Sequence, residues 1–329
     1  MKEAGWPAIH MSWIETVRVG SFCAVVFLTY YLSVRWCLER ICGRKPRGRF
    51  DRAFQSGWAG AGLLSAAVFG AACMGYGFWV EPKRLTVTQY TIETSKIPEG
   101  QSVRIVHLSD LHVRERGPRE RNLPELVRSL NPDLILHTGD FFARGVGLEP
   151  IVGDILKAWD VPQYACAGNL DHLGDFHDVM GRTGVNVLTA DRAQLTIRGV
   201  RLSIPGFPPM GEAHMRERLV DLPRDTFNVV LYHLPQGFPE TWGTPADLML
   251  AGHTHGGQVR LPFYGALITF DRFGKRWEGG CYNERNVQLI VSRGIGCEPG
   301  MPEVRFLCPP EVVVVDVVGT GGIEGEEVQ

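Results

Sequence analysis

Apolar residues fall into two patterns along the chain, long runs before residue 81 and short runs after it. Residues 54–80 carry no charged side chain, and about 20 apolar residues are enough to span the core of a bilayer. Small residues in this run suit close helix packing in lipid, while Trp58, Tyr76 and Trp79 stand where interfacial aromatic residues are expected. The run predicts a transmembrane helix. The alternative is a helix buried in a soluble core, but such helices seldom stay uncharged for so long.

A second apolar run, Val19 to Val34, is shorter and ends at Arg35. We expect transmembrane segments at residues 19–38 and 56–80, and the sequence leaves open whether the first of them crosses the membrane. The loop between them is basic and contains Arg40, Arg44, Lys45, Arg47, Arg49 and Arg52. Basic loops stay in the cytoplasm. With one crossing or two, the chain is predicted to be membrane-anchored, with the following domain on the non-cytoplasmic side.

After these segments, short apolar runs alternate with polar or helical ones. Residues 85–98 predict an edge strand, and residues 121–129 and 149–159 predict helices. Ten further strands are predicted at residues 103–109, 133–138, 163–167, 185–188, 194–197, 201–205, 227–232, 247–251, 287–291 and 311–317. This order predicts an α/β fold with two mixed sheets packed face to face and flanked by helices. The expected organisation is an N-terminal membrane anchor over residues 1–84, one domain over 85–318 and a flexible tail over 319–329.

Composition narrows the class of protein. Hydrophobic residues make up 44% of the chain, charged residues 21%, and the formal net charge is -2, which is ordinary for a globular protein. No nucleic-acid partner is expected, and no protein partner is indicated. The eight cysteines form no CxxC pair, which argues against a cysteine metal site. For Cys281, Cys297 and Cys308, both a disulfide and free thiols remain open.

Potential metal ligands follow several predicted strands, where α/β sheets place their sites. They are Asp110, His112, Asp140, Asn169, His233, His253 and His255. In an extended segment, side chains two positions apart point to the same side. Asp110 and His112 are therefore predicted to chelate one ion, and the same spacing predicts a second chelating pair in His253 and His255.

In this order the motifs resemble the calcineurin-like metallophosphoesterase family, whose pattern runs DxH, GD, GNH(D/E), H, GHxH. The resemblance covers roughly residues 103–318 and includes AGHTHGGQVRLP and SRGIG, which look most like the membrane-associated branch, similar to UDP-2,3-diacylglucosamine hydrolases. It implies a four-layer α/β/β/α fold and two divalent transition-metal ions, for which the donors favour Mn, Fe or Zn. It also implies that a hydroxide bridging the ions attacks phosphorus.

The resemblance further implies how the ligands divide. Asp110, His112, Asp140 and His255 would hold one ion, and Asp140, Asn169, His233 and His253 would hold the other. Asp140 would then bridge, because two cations close together need a shared anionic ligand.

The third motif departs from the family. Leu170 replaces the histidine that normally helps to protonate the leaving group. His172 is the candidate general acid in its place, and the alternative is a histidine at a helix start or on the surface. A missing acid matters least for weakly basic leaving groups, and diacylglucosamine hydrolases of the family likewise lack this histidine.

The sequence therefore predicts hydrolysis of a phosphodiester or pyrophosphate bond in a lipid-linked or membrane-proximal substrate. The alternatives are a metal-binding pseudoenzyme or membrane scaffold that has lost turnover, and a phosphatase of small soluble phosphoesters.

Overall fold

A computed structural model describes residues 11–143, 147–171 and 176–321 of the chain. The described residues form two compact units that divide between Val80 and Glu81. We refer to residues 11–80 as the N-terminal unit and to the described residues from Glu81 onward as the C-terminal unit.

The N-terminal unit consists of helices α1 (Trp13–Ile41), α2 (Arg49–Phe54) and α3 (Gly57–Trp79). Ser12 and Ser56 cap α1 and α3, because each hydroxyl accepts a hydrogen bond from a backbone N–H in the first turn. Both long helices are long and apolar enough to cross a membrane, and only 6% of the apolar window of each is buried. Their length and composition are those of membrane helices.

Helices α1 and α3 pack side by side in opposite directions. Tyr30 donates to the carbonyl of Ala67 at 2.9 Å, and Ser33 donates to that of Leu63 at 3.1 Å. At Gly60 the helices approach so closely that a Cβ atom would lie 1.9 Å from the ring of Trp36. A small residue at this position therefore permits the contact.

The C-terminal unit contains two six-stranded sheets and one two-stranded hairpin. Its strands are β1 (Thr86–Pro98), β2 (Ser102–Leu108), β3 (Leu134–His137), β4 (Gln163–Ala165), β5 (Asn186–Val187), β6 (Asp191–Ile197), β7 (Val200–Gly206), β8 (Phe227–Leu231), β9 (Leu248–Ala251), β10 (Arg260–Leu261), β11 (Gly265–Ala266), β12 (Gly280–Glu284), β13 (Val287–Val291) and β14 (Glu311–Gly321). Its helices are α4 (Pro118–Ser129), α5 (Glu149–Leu156), α6 (Phe176–Thr183) and α7 (Glu212–Leu219).

The first sheet has the order β1-β14-β2-β3-β4-β5, and the second has the order β12-β13-β9-β8-β7-β6. Strands β2 to β5 run parallel, as do β7, β8, β9 and β13, while β14 runs antiparallel to β2. The carboxyl ends of the central strands therefore lie at one edge of each sheet, where sites are expected.

Alternating side chains of each sheet divide between two cores. Ile105 and Leu134 of the first sheet pack with Val229 and Leu248 of the second, so the sheets face each other. The opposite face of the first sheet packs against α4, α5 and α6, and that of the second packs against α7. This four-layer α/β/β/α arrangement confirms the predicted fold class. The predicted edge strand is β1.

Candidate metal centre

All seven predicted metal ligands follow the carboxyl ends of parallel strands. Asp110 and His112 follow β2, Asp140 follows β3 and Asn169 follows β4. The second sheet supplies the other three, His233 after β8 and the pair His253 and His255 after β9. Ligands from both sheets therefore meet where the two layers face each other.

Asp110 and His112 lie in one donor group as predicted, whereas pairing of His253 with His255 at one ion stays a prediction, and the backbone reason given for both pairs is wrong. Asp110 and His112 have φ angles of 51° and 38°, and His253 and His255 have 69° and 51°, so neither pair lies in extended backbone. The strands end before these residues, and each of the four residues then adopts a left-handed backbone conformation that sets the direction of its side chain. Such conformations are costly for non-glycine residues and concentrate at functional sites.

Glycines let these loops touch. A Cβ atom on Gly168 would lie 2.2 Å from Oδ1 of Asp140, and one on Gly252 would lie 1.9 Å from Oγ of Ser109. The amide of Gly252 also donates to the carbonyl of His233 at 2.9 Å. Larger residues at Gly168 or Gly252 would push the ligand loops apart.

One group of donor atoms comprises Asp110, His112 and His255, all buried. Nε2 of His112 lies 3.2 Å from Nε2 of His255. Oδ1 of Asp110 lies 3.4 Å from Nε2 of His255 and 3.8 Å from Nε2 of His112. Donor atoms that each lie about 2.0–2.2 Å from one ion are separated from one another by distances like those three, so the spacing fits a metal ion.

A second group comprises Asp110, Asp140 and His233, also buried. Nε2 of His233 lies 3.3 Å from Oδ2 of Asp140 and 3.9 Å from Oδ1 of Asp110. Oδ2 of Asp140 is also 3.6 Å from Nε2 of His112. Both carboxylates therefore lie between the two groups, and either is placed to be shared.

Hydrogen bonds orient three of the imidazoles. Nδ1 of His112 faces the carbonyl of Phe142 at 3.3 Å, and Nδ1 of His233 faces that of Thr138 at 2.5 Å. Nε2 of His253 likewise faces a carbonyl, that of Phe270, at 3.3 Å. A ring N–H donated to a carbonyl leaves the other nitrogen as a lone-pair donor, as in metal-bound histidine.

Among the predicted ligands, two buried side-chain atoms make no hydrogen bond to the described residues, although His233 lies in ion-pair range of Asp140. They are Oδ1 of Asn169 and Nε2 of His233. Leaving a buried polar atom unpaired costs about 1–3 kcal/mol, so such atoms call for a ligand. The ring of His253 packs edge-on against that of His233, with centroids 5.3 Å apart. Of the three residues predicted for the second ion alone, His233 thus lies in a donor group and His253 packs against it.

The electrostatics favour a cation. Burial opposes protonation of His233, but Asp140 and Asp110 outweigh that effect and raise its pKa to about 10. Burial, aided by His233, instead lowers the pKa of His253 to about 4. The buried carboxylates thus stabilise positive charge beside them, while His253 keeps the neutral form that binds metals.

Asp171 is an important site residue that sequence reasoning did not assign. Its carboxylate accepts hydrogen bonds from the backbone N–H groups of Asp140 at 2.7 Å, Phe141 at 2.9 Å and Gly168 at 2.7 Å. Burial and the charge of Asp140 raise the pKa of Asp171 to about 7, although the three backbone hydrogen bonds act to lower it. Asp171 thereby ties together the loops after β3 and β4. Its place beside Asn169 in the third motif was the available signal.

Two further arrangements were also missed. Glu298 lies 3.5 Å from Nε2 of His255, and nothing in its local sequence indicated this. Hydrogen bonds link Thr138 Oγ1 to Ser109 Oγ at 2.8 Å and Ser109 Oγ to Oδ2 of Asp110 at 2.6 Å. The candidate acid His172 lies outside the described residues.

Comparison with known proteins agrees with this geometry. Residues 103–257 match the family model described as calcineurin-like phosphoesterase. The uncharacterized metallophosphoesterase YkuE of Bacillus subtilis is 31% identical over 284 residues, which cover 82% of this chain and 98% of the relative. Phosphodiesterase YaeI of Escherichia coli is 28% identical, covering 77% of this chain and 96% of the relative. UDP-2,3-diacylglucosamine pyrophosphatase LpxG of Chlamydia trachomatis is 24% identical, covering 72% and 90%.

The chain therefore belongs to the calcineurin-like metallophosphoesterase family. It is a hydrolase that acts on phosphoester bonds and uses two divalent metal ions. The predicted family, enzyme class and cofactor type are confirmed.

Proposed function

We propose that the enzyme hydrolyses a phosphodiester or pyrophosphate bond of a lipid-linked or membrane-proximal substrate. The observation that carries this proposal is Leu170, which stands where the family has its proton-donating histidine. The backbone N–H of Leu170 donates to Oδ1 of Asp140 at 2.8 Å, so this loop is built against the metal centre. Its side chain has no proton to give. Weakly basic leaving groups, such as those of anhydrides and aryl diesters, need such a donor least.

The proposed ligands are the seven predicted residues, with Asp140 shared between the ions. Oδ1 of Asp140 is occupied by the Leu170 N–H, so Oδ2 is the oxygen left to face His112 and His233. Two divalent ions at this centre would activate water and neutralise the charge of the phosphoryl oxygens. The backbone carbonyls that hold the imidazoles, together with Asp171, keep the donor atoms in place for this chemistry.

The two long apolar helices support a membrane anchor that extends over residues 1–84, followed by the hydrolase domain over 85–318. The basic loop between the helices supports a cytoplasmic location for that loop and a non-cytoplasmic one for the hydrolase. Membrane attachment makes a lipid-linked phosphoester a suitable substrate. The names of YaeI and LpxG, a phosphodiesterase and a pyrophosphatase of a lipid-bearing nucleotide sugar, add support.

The test uses full-length protein reconstituted in vesicles with Mn²⁺. Bis(p-nitrophenyl) phosphate and vesicle-embedded CDP-diacylglycerol should be hydrolysed, and glycerol phosphate should be slower by about 10²-fold or more, the usual contribution of general acid catalysis. Asp140→Asn is the matched inactive control. Equal rates on glycerol phosphate would instead indicate a phosphatase of small soluble esters. Two bound ions without turnover of any substrate would indicate a pseudoenzyme.

A further inference from the structure

A short hairpin that follows the metal centre exposes aromatic side chains at its tip. We call residues 260–266 the aromatic hairpin: β10 and β11 pair antiparallel, and Phe263 and Tyr264 lie in the loop between them. The relative exposure of Phe263 is 112%, and that of Tyr264 is 43%. The hairpin thus presents its largest apolar side chains to the surroundings.

Phe263 is not explained by its local backbone. Its φ angle is 62°, in the left-handed region where glycine and asparagine are favoured over a bulky aromatic residue. Full exposure means that it also gains nothing from packing within the C-terminal unit. A phenylalanine that benefits neither its turn nor its core is best explained by an external contact.

A further exposed apolar side chain lies beside the hairpin. An open cleft of about 340 Å³ is lined by Leu261, Phe263, Tyr264 and Leu307, together with the polar side chains of Arg260 and Glu278. Leu307 is 47% exposed and comes from a distant part of the chain, the segment before β14. Residues distant in the sequence therefore form one apolar patch, which we define as Leu261, Phe263, Tyr264 and Leu307.

This patch is fastened to the beginning of the C-terminal unit. The buried carboxylate of Glu81 accepts hydrogen bonds from the backbone N–H of Leu307 at 3.1 Å and from that of Cys308. Helix α3 ends at Trp79, so only Val80 intervenes before Glu81. The segment that carries Leu307 is therefore held by the first residue of the C-terminal unit, which directly follows the predicted transmembrane segment 56–80 in the sequence.

Charge around the patch favours an anionic partner. Nζ of Lys275 lies 3.7 Å from the centroid of the Tyr264 ring. Arg260 pairs with Glu278 at 2.7 Å, and Lys275 lies 3.8 Å from the same carboxylate. Two cations thus share one carboxylate, which leaves a positive charge beside the aromatic side chains. Aromatic residues next to cations are typical of membrane interfaces with anionic lipids.

We propose that the aromatic hairpin is a second membrane contact, in which Phe263 and Tyr264 enter the headgroup layer of an anionic lipid surface. This inference rests on the proposed membrane anchor. The hairpin begins three residues after the turn His255–Gly257 ends, and Arg260 donates to the carbonyl of Gly256 at 3.0 Å. Lipid contact at Phe263 would therefore hold the loop that carries the predicted ligand His255 near the lipid headgroups.

The first test is photocrosslinking in the full-length protein, reconstituted in vesicles that contain an alkyne-tagged phospholipid. Benzoylphenylalanine is placed at position 263, at the exposed position 220 as a matched surface control, or at position 78 in α3 as a positive control. Position 263 should label lipid well above position 220. Adding phosphatidylglycerol to phosphatidylcholine vesicles should raise that labelling about fivefold, the effect of one cation near an anionic surface.

The controls separate the two proposals. Lipid labelling at 78 with none above background at 263 would overturn the hairpin contact and leave the anchor intact. No labelling at 78 would contradict the anchor itself. A protein adduct at 263 in place of lipid would show that the patch is a protein-binding surface, which also overturns the inference.

The second test is Phe263→Asn in the full chain. Asparagine tolerates the left-handed backbone, so the unfolding temperature should stay unchanged or rise. Hydrolysis of vesicle-embedded CDP-diacylglycerol should fall several-fold, while hydrolysis of soluble bis(p-nitrophenyl) phosphate stays unchanged. Val220→Asn should affect neither rate. If Phe263→Asn hydrolyses each substrate as fast as the unmodified protein does, the membrane contact is refuted.

Discussion

The metal centre and the N-terminal helices depart from ordinary burial in opposite directions. At the centre, Asp110, His112 and His233 are 0% exposed although they carry ionisable groups. In the helices, Phe27 and Trp58 are apolar but 71% and 91% exposed. Charged groups are seldom buried without partners, and large apolar patches seldom face water.

The two departures teach the same lesson. Each region is suited to a partner other than protein: cations for the buried carboxylates, and, under the proposed anchor, lipid for the exposed apolar helices. Buried carboxylates without positive charge are destabilising because they lose hydration. The aromatic hairpin belongs with the second region by its exposed apolar side chains, although it lies next to the first in the chain.

Of the tests of this comparison, Asp140→Asn should have the largest effect, on both metal binding and hydrolysis. This carboxylate lies between His112 and His233, so we expect bound metal to fall from about two ions per chain to almost none. Hydrolysis should fall by about 10³-fold or more, since the ions supply several kcal/mol of transition-state stabilisation. Metal content is measured by mass spectrometry of purified protein.

Two companion variants sharpen that result. Asn169→Ala should lose mainly one ion, because its amide is assigned to a single ion. Asp110→Asn tests the other carboxylate within reach of both groups. If Asp140→Asn keeps both ions while Asp110→Asn loses them, Asp110 is the shared ligand.

The lipid side of the comparison is tested by deleting residues 1–80. The remaining protein should move from the membrane fraction to the soluble fraction and still hydrolyse small diesters. A deletion of residues 1–84 removes Glu81 as well, and with it the hydrogen bonds to Leu307 and Cys308. Because hydrogen bonds to a charged group contribute about 1.5–3 kcal/mol, the longer deletion should unfold at a lower temperature in calorimetry. Retention of the shorter protein on carbonate-washed membranes would place the anchor elsewhere.

Leu170→His tests whether the centre lacks a proton donor for the leaving group. If the loop accepts the imidazole, alkyl esters should be hydrolysed about 10- to 100-fold faster, because their strongly basic leaving groups benefit most from a proton donor. Aryl esters should gain little. Rates for a series of leaving groups measure the effect. His172→Ala is the companion, and it should slow only poor leaving groups if His172 is a compensating acid.

The smallest effect concerns packing between α1 and α3. Gly60→Leu would force a side chain into Trp36 and should destabilise the helix pair by about 1–2 kcal/mol. Gly62→Leu is the matched control, since a Cβ atom there meets nothing within 4 Å. Thermal stability in detergent should fall for the first variant and not for the second. Equal unfolding temperatures would show that the close contact carries no stability.

Local patterns predicted the fold well, because buried parallel strands give apolar runs that are visible without their partners. The same patterns failed where contacts join distant segments. The hydrogen bonds of Asp171 to Asp140 and the approach of Glu298 to His255 depend on how loops meet, which spacing alone does not encode. The extended-backbone argument for Asp110 and His112 failed for a related reason: the strand ends before the motif, and tertiary contacts then impose positive φ angles.

Strand β14 has a consequence for the order of folding. It lies between β1 and β2, parallel to the first and antiparallel to the second, and pairs Thr86 with Glu311 across more than two hundred positions of sequence. Contacts so distant in sequence form slowly, because the loop-closure entropy must be overcome before they are made. During synthesis the first sheet is therefore open along both flanking strands until residue 311 has emerged. The predicted metal ligands after β2 and β3 precede that residue in the chain, and so do the two long apolar helices, which are synthesised first.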